Sequence, residues 1–313
     1  MSIYNWLDKT VGVLGNGLYK HSPSLYNKLR PLTRSAKIFY IKFLQSDTIF
    51  LDLSGSGLCN RLKRLVSLMR FSDYFNKKLY VRWKKTFEAK CCFSDLFETE
   101  LQLTSKLPKG IFSNVYISGW NFWILPSEVQ GETVKINNNF FWKPIDHKYQ
   151  NIPKVLQKEF LKYFNQLTPV KKLKDTIKKN SKKITKNTVG VHIRRGDFIK
   201  KYGPEMHADY KFMKAMDKLI QKNPKVNFFL ATDSKDTEVL FKRRYGKKIF
   251  TYKKRSLNRN NKEGVQDALV DLLLLSKTNH IIGSHRSTFS EVAWWFGQCK
   301  AKVDIVGGKF KGK

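Results

Sequence analysis

The sequence predicts an α/β protein built on parallel, doubly wound sheets. Three observations carry this. A strand, a glycine turn, an amphipathic helix and a second strand follow one another over residues 48–83, a β-α-β unit. From residue 188 onward, short apolar runs alternate with helix-period segments, as in a parallel sheet covered on both faces. The chain has 313 residues, 41% of them hydrophobic and 14% aromatic, which suffices for two ordinary domains with a sizeable core.

Residues 1–46 are basic, with breaks at Pro23 and Pro31, and read as a peripheral arm or helical lead-in. TIFLDL (48–53) is a buried strand and SGSG (54–57) a turn. Leu58, Leu62, Leu65, Leu68 or Met69, and Phe71 then recur at helical spacing, and LYVRW (79–83) is the next strand. A further strand is expected at 111–117. The aromatic clusters GWNFWIL (119–125) and FFW (140–142) read as core, or as a platform on which a pyranose ring stacks. Residues 171–186 carry eight Lys against one Asp, an exposed helix and linker that would mark a domain boundary. Beyond it, strands are expected at 188–193, 226–231, 248–252, 280–283 and 302–306. Helices fill the gaps at 209–221, 236–245, 265–276 and 288–296. The division is then a basic arm (1–46), an N-terminal Rossmann-like domain (47–170), a Lys-rich linker (171–187) and a C-terminal Rossmann-like domain (188–313).

Composition narrows the function. Sixty Lys and Arg against 25 Asp and Glu give a net charge of +35, so an anionic partner is implied: nucleic acid, an acidic membrane face or a phosphorylated small molecule. No apolar run approaches the roughly 18 to 20 residues of a membrane span, and the first residues lack a signal-peptide pattern. Cys59, Cys91, Cys92 and Cys299 form neither spaced disulfide pairs nor a metal-ligand spacing, which suits a reducing, cytoplasmic setting. His207 and His285 lack ligand partners in the sequence, so no metal is expected.

Open α/β sheets bind ligands beyond the carboxyl ends of their strands. The residues there form an anion-binding inventory: His192-Ile193-Arg194-Arg195-Gly196-Asp197, Thr232-Asp233, and Gly283-Ser284-His285-Arg286-Ser287-Thr288-Phe289-Ser290, which opens a helix. Alternation sets His192 and Arg194 on one strand face, with Ile193 and Arg195 on the other. A sequestered guanidinium needs a carboxylate or a phosphate, and its fork can hold a phosphate through two parallel bonds. Gly196 lets the backbone turn sharply, and Asp197 is expected to hold Arg195. Ser287, Thr288 and Ser290 bring hydroxyls and backbone N–H groups to a helix start, a phosphate-binding geometry. The Gly55–Gly57 turn matches neither GxGxxG nor GxxxxGK[ST].

The VGVHIRRGD segment (189–197) resembles the H-x-R-R motif of the GDP-fucose transferases, a superfamily that includes α-1,2-, α-1,6- and protein O-fucosyltransferases. DALVDLLLLS (267–276) with IIGSHRSTFSEVA (281–293) is similar to its third motif region. GLCNRL (57–62) is similar to its N-terminal G-x-x-N-R-L turn, and FFLATD (228–233) fits as well. The resemblance covers about 48–97 and 188–305. It implies a GT-B-like architecture, two Rossmann-like domains facing across a cleft, with the N-terminal one on the acceptor side. It implies an inverting, metal-independent transfer from GDP-β-L-fucose to a glycan or lipid-linked glycan hydroxyl, giving an α-fucoside, with no cofactor. Carried over by position, Arg194 binds the donor phosphates. His192 and Asp271 contact the guanosine. Ser287, Thr288 and Phe289 form the phosphate and nucleoside loop. Asn60 with Gly57 gives the N-terminal contact to phosphate or sugar. Arg195, Asp197, Ser284 and Arg286 complete the donor set, Arg286 as a second phosphate contact.

Departure of GDP leaves charge on the diphosphate while the sugar passes through an oxocarbenium-like state. An arginine and helix-start amides can neutralise that charge in place of a divalent ion, with Arg194 as the principal group. Glu205 is the expected general base, although Lys200-Lys201-Tyr202 stands where the α-1,6 branch would present its acidic residue. The rival reading is a nucleic-acid-binding protein without transferase activity, supported by the net charge and by the basic block 242–255. No zinc finger, RRM, KH or helix-turn-helix pattern accompanies it, so no nucleic acid is expected. Peripheral contact with an anionic membrane is compatible with the enzyme reading.

Overall fold

The computed structural model describes Ser22 and residues 48–53, 55–74, 76–106, 115–117, 152 and 154–307. The expected arm 1–46, most of the strand at 111–117 and both aromatic clusters of the middle region lie outside the described residues. Two compact units result. One draws on Met1–Ser54, Arg64–Lys84 and Glu100–Lys135, the other on Gly55–Lys63, Lys85–Thr99 and Ile136–Lys313.

The first unit carries a parallel sheet of four strands: β1 (Thr48–Asp52), β2 (Lys78–Arg82), β3 (Gln102–Leu103) and β4 (Val115–Ile117). Their order is β3-β2-β1-β4. Ile49, Leu51 and Val81 are buried, as are Leu65, Val66 and Leu68 of helix α1 (Leu58–Tyr74). The helical spacing of those leucines is the amphipathic stripe expected from the sequence. At the end of β1, Asp52 takes a two-pronged bond from Arg82, Nε to Oδ1 at 3.1 Å and Nη2 to Oδ2 at 2.5 Å. Arg64 donates to the Asp52 carbonyl at 2.8 Å.

The second unit carries five parallel strands: β5 (Thr188–Ile193), β6 (Asn227–Thr232), β7 (Ile249–Phe250), β8 (His280–Ser284) and β9 (Lys302–Val306). Their order is β7-β6-β5-β8-β9. β5 is central and buried at every position, which explains its near-continuous apolar run. Helices α2 (Lys154–Phe164), α3 (Lys171–Ser181), α4 (Gly196–Tyr202), α5 (Asp209–Lys222), α6 (Lys235–Tyr245), α7 (Lys262–Leu275) and α8 (Thr288–Phe296) complete it. Val189, Val191, Ile193, Phe228 and Leu230 meet Phe212, Met216 and Phe241 from α5 and α6 in one core. Phe164 stacks on Trp295, ring centroids 5.5 Å apart at 8°, which docks α2 on α8.

The Lys-rich run lies within the second compact unit. It is helix α3, whose Leu173 and Ile177 are buried while all eight lysines of 171–186 are exposed. Spaced four apart, these two side chains lie on one face and anchor the helix against α7. Residues 85–99 also cluster with the second unit: Gln266 of α7 donates to the Asp95 carbonyl at 2.9 Å, and Lys262 pairs with Asp95 at 2.5 Å. No helix among the described residues is long and apolar enough to cross a membrane.

Two close fits hold the second unit together. Asn261 caps α7, its Oδ1 accepting from Gly264 N at 2.7 Å. A Cβ at 264 would stand 1.9 Å from the Asn258 carbonyl oxygen, so only glycine lets the loop pass. Gly264→Ala is expected to cost about 1–3 kcal/mol as overpacking, read as a lower denaturation midpoint; an unchanged midpoint would contradict the packing. Lys63 Nζ lies 2.6 Å from Glu291 Oε2, both side chains 1% exposed. Burial pushes the Glu291 carboxyl up and Lys63 draws it back. Lys63→Met leaves a buried carboxylate uncompensated and should cost about 3–5 kcal/mol. Adding Glu291→Gln should recover much of that loss, whereas equal instability of single and double variants would deny the coupling.

Candidate active site

β5 lies between β6 and β8, so the strand order reverses at the β5–β8 edge. Crevices at such a reversal take the ligands of open α/β sheets. The carboxyl ends of β5 and β8 are stitched together there. Ser284 Oγ accepts from Arg194 N at 2.9 Å and donates to the His192 carbonyl at 3.0 Å. His192 is buried, with Nδ1 2.9 Å from Ser290 Oγ. Its ring stacks on Phe289, centroids 4.6 Å apart at 23°. This draws the first turn of α8 against the end of β5. Gly283 permits the approach, since a Cβ there would stand 2.6 Å from Ser290 Oγ.

The two arginines have different surroundings. Arg195 is buried. Its Nε donates to Thr237 Oγ1 at 3.1 Å, its guanidinium pairs with Asp209, and its backbone N donates to Asp233 Oδ1 at 2.7 Å. Arg194 is 21% exposed and spans two carboxylates, Asp197 Oδ1 at 2.6 Å and Asp233 Oδ2 at 2.7 Å. Its guanidinium carbon stands 5.5 Å from the Phe198 ring centroid. The expected Asp197–Arg195 pairing is therefore corrected. The chain passes from Gly196 into helix α4 instead of a loop, which turns Asp197 back to Arg194 and to Arg259 at 3.3 Å. Arg195, on the opposite face, finds Asp209 at the start of α5. Burial alone would raise the Asp197 carboxyl; Arg194 and Arg259 hold it below the usual range. Gly196 has φ +35°, and a Cβ there would stand 2.7 Å from Asp233 Oδ2, so a side chain would push on the carboxylate that holds Arg194.

An open cavity lies against this edge. His192, Arg194, Asp271 and Phe289 line it, four residues singled out from the sequence. Thr232, Asp233, Lys254, Leu257 and Ala268 line it too. Asp271 is buried on α7 and its carboxyl is pushed up to about 6, by burial first, with Lys254 Nζ at 2.8 Å pulling it back.

The other expected residues stand outside that lining. Ser284 and Arg195 are buried and Ser287 is the N-cap of α8, its Oγ accepting from Phe289 N at 3.4 Å. Thr288 opens α8, half-buried, and Arg286 precedes it, half-buried at φ +60°. Gly57 and Asn60 sit at the start of α1, both half-buried. Glu205 is exposed, bound by Tyr210 Oη at 2.5 Å and Lys211 Nζ at 3.0 Å. Those bonds hold its carboxyl below the usual range, which weakens it as a proton acceptor.

Sequence reasoning assigned no role to Asp233, although it named the Thr232-Asp233 pair at a strand end. It missed Lys254 and Asp209. A signal existed for Lys254: Asp267 and Asp271 sit four apart in a helix whose second half is otherwise apolar, and buried carboxylates need cations or hydrogen-bond donors nearby.

No protein-family model and no curated protein matches the sequence. Solved structures do. The chain is similar to fucosyltransferase NodZ from Bradyrhizobium, with 15% identity over 79% of this chain and 91% of that one and a TM-score of 0.50. It is similar to POFUT1 in complex with GDP-fucose, with 11% identity, 84% and 98% coverage and a TM-score of 0.51. A variant of Arabidopsis thaliana FUT1 in complex with GDP gives 14% identity, 82% and 70% coverage and a TM-score of 0.50. At these identities the likeness concerns architecture: the chain has an α/β, GT-B-like fold.

Proposed function

We propose that the chain is a glycosyltransferase that moves L-fucose from GDP-β-L-fucose to a hydroxyl of a glycan or glycoconjugate, with inversion at the anomeric carbon and without a required metal. The observation that carries the reading is the placement of Arg194: at the strand-order reversal, on the wall of a cavity, fixed by two carboxylates. The fold shared with proteins whose structures hold GDP-fucose or GDP supports it, as do the motif blocks around Arg194 and Ser287.

In this reading the C1–O bond to the β-phosphate breaks with its electron pair going to the diphosphate. The acceptor oxygen bonds C1 from the opposite face, and its proton passes to solvent or to a carboxylate. The sugar carries positive charge in transit and the leaving GDP gains negative charge. Arg194 meets that charge in a site of reduced dielectric, where a pre-aimed cation acts without reorganising. Asp197 and Asp233 keep the guanidinium aimed. His192 and Phe289 offer a stacked aromatic pair beside the base, and Asp271 an acceptor for its N1–H and amino donors. Ser287, Thr288 and Arg286 supply further donors at the phosphate, and Asn60 with Gly57 a contact from the second unit's N-terminal segment. Arg195 supports the site through Asp209 and Thr237. The exposed lysines of α3 support an anionic acceptor or membrane surface nearby.

Nucleotide-dependent thermal shift tests the donor class. GDP and GDP-fucose should raise the melting temperature with and without chelator, and UDP should not. Equal responses to UDP, or salt-dependent DNA binding with no response to GDP, would favour another function. Arg194→Ala should retain its fold and lose about 10²–10³-fold in transfer rate, and Arg194→Lys should recover only part of it because the fork is lost. A folded Arg194→Ala with near-normal turnover would rule this role out.

A further inference from the structure

The turn at 86–89 carries an exposed aromatic ring on a rigid mount. Thr86 and Ala89 pair across it, N–H to C=O at 3.4 and 3.1 Å in the two directions. Ala89 is buried. Phe87, between them, is 67% exposed, more than any other large apolar side chain among the described residues. Single exposed apolar residues are ordinary on protein surfaces. Phe87 differs in the bracing beneath it and the polar groups beside it.

Arg61 of α1 is fully buried and supplies the bracing. Its Nε donates to the Ser56 carbonyl at 2.7 Å and its Nη2 to Thr86 Oγ1 at 2.6 Å. Thr86 Oγ1 donates in turn to Glu88 Oε2 at 2.6 Å. That bond, with Arg61 and Arg259 adding positive potential, holds the half-buried Glu88 carboxyl below the usual range. The turn lies against Gly57, where a Cβ would stand 4.0 Å from the Glu88 carbonyl oxygen. Just beyond it, Lys90 N donates to the Arg259 carbonyl at 3.2 Å. Arg259 reaches Asp197 at 3.3 Å, and Asp197 holds Arg194 at 2.6 Å. Ring, carboxylate and guanidinium therefore stand together, two ion pairs from Arg194.

We propose that this turn is a sugar-binding subsite: Phe87 stacks on the C–H face of an acceptor pyranose while Glu88 and Arg259 bond its hydroxyls. In calling that sugar the acceptor, the inference rests on the glycosyltransferase reading. A pyranose presents an apolar face and a rim of hydroxyls, which an aromatic ring edged by polar groups matches. An ionised carboxylate only accepts and a guanidinium only donates, so adjacent hydroxyls can donate to one and accept from the other. Arg259 has five N–H donors, more than Asp197 takes. A protein partner fits less well, because it needs a contiguous apolar patch and exposed Lys85 and Lys90 flank the turn. The bracing through Arg61 means that the turn need not be ordered on binding, which lowers the entropic cost.

Saturation-transfer NMR without nucleotide tests the subsite, with cellobiose, lactose, N,N′-diacetylchitobiose and α-1,6-mannobiose as probes. Wild type should bind at least one of them, with saturation strongest on the C–H protons of one ring face. Phe87→Ala should weaken that binding about three- to tenfold, the scale of an aromatic contact, and Phe87→Trp should keep it. Glu88→Gln should weaken it about threefold or more, since a charge-assisted bond becomes a neutral one. Val239→Ala, which removes another exposed apolar side chain, on α6, should bind as wild type does. Phe87→Ala should also leave the GDP-induced thermal shift unchanged and raise the KM for the bound sugar as acceptor. Wild type that binds none of the four sugars, a Phe87→Ala that binds as wild type does, or an equal loss in Val239→Ala overturns the subsite alone. A bound sugar that accepts no fucose from a wild type that responds to GDP overturns its role as acceptor. Sugar binding through Phe87 by a wild type that does not respond to GDP leaves the subsite standing and overturns the donor reading.

Discussion

A guanidinium that must stay charged, aimed and partly dry is the constraint around which the second unit is arranged. Arg194 leaves a buried strand where β5 and β8 part, with its side chain mostly covered. At about 4 Å two unit charges attract by about 4 kcal/mol at the effective dielectric of such a site, so two carboxylates hold it firmly without a deep desolvation cost. Asp197 reaches it from α4 and Asp233 from the end of β6. The same Asp233 takes the Arg195 amide, so one carboxylate sets both the backbone path and the side-chain aim. A guanidinium has five N–H donors, so a ligand diphosphate would take those the two carboxylates leave over, and little has to move.

The neighbouring contacts serve that geometry. Ser284 fixes the backbone at Arg194 from β8, and the His192–Phe289 stack fixes α8 against β5. Gly196 and Gly283 are glycine because the carboxylate and hydroxyl they face leave no space for a Cβ. Arg195 is drawn away to Asp209 and Thr237, which locks α5 and α6 to the strand end. Two adjacent arginines thereby acquire two roles, one facing the cavity and one tying helices together. The Lys63–Glu291 pair secures the 55–63 segment to α8 in a comparable way.

Much of this was legible in the sequence where local chemistry decides it. The strands at 188–193 and 302–306 and the helix at 288–296 fall where the apolar runs and the Ser287 cap place them. The opposite facing of Arg194 and Arg195 followed from strand alternation. What was not legible depended on residues distant in sequence. The partner of Arg195 is Asp209, across a helix and a turn that the motif does not encode. The helix at α3 is expected from the sequence, but as a fully exposed one, because eight lysines mask two anchoring side chains, Leu173 and Ile177. Helix α2 was missed although Phe160, Tyr163 and Phe164 mark its buried face. Lys254 lies inside the basic block 242–255, which in the sequence alone supports a nucleic-acid partner; only the path of its loop, fixed by Asp267, brings it inside.

The most direct measurement is the distance from the Arg194 guanidinium to the β-phosphate in a crystal structure of the chain with GDP. The account predicts a charge-assisted bond of about 2.7–2.9 Å, with the base beside His192, Phe289 and Asp271. A diphosphate seated elsewhere, with Arg194 still bound only to Asp197 and Asp233, would contradict it.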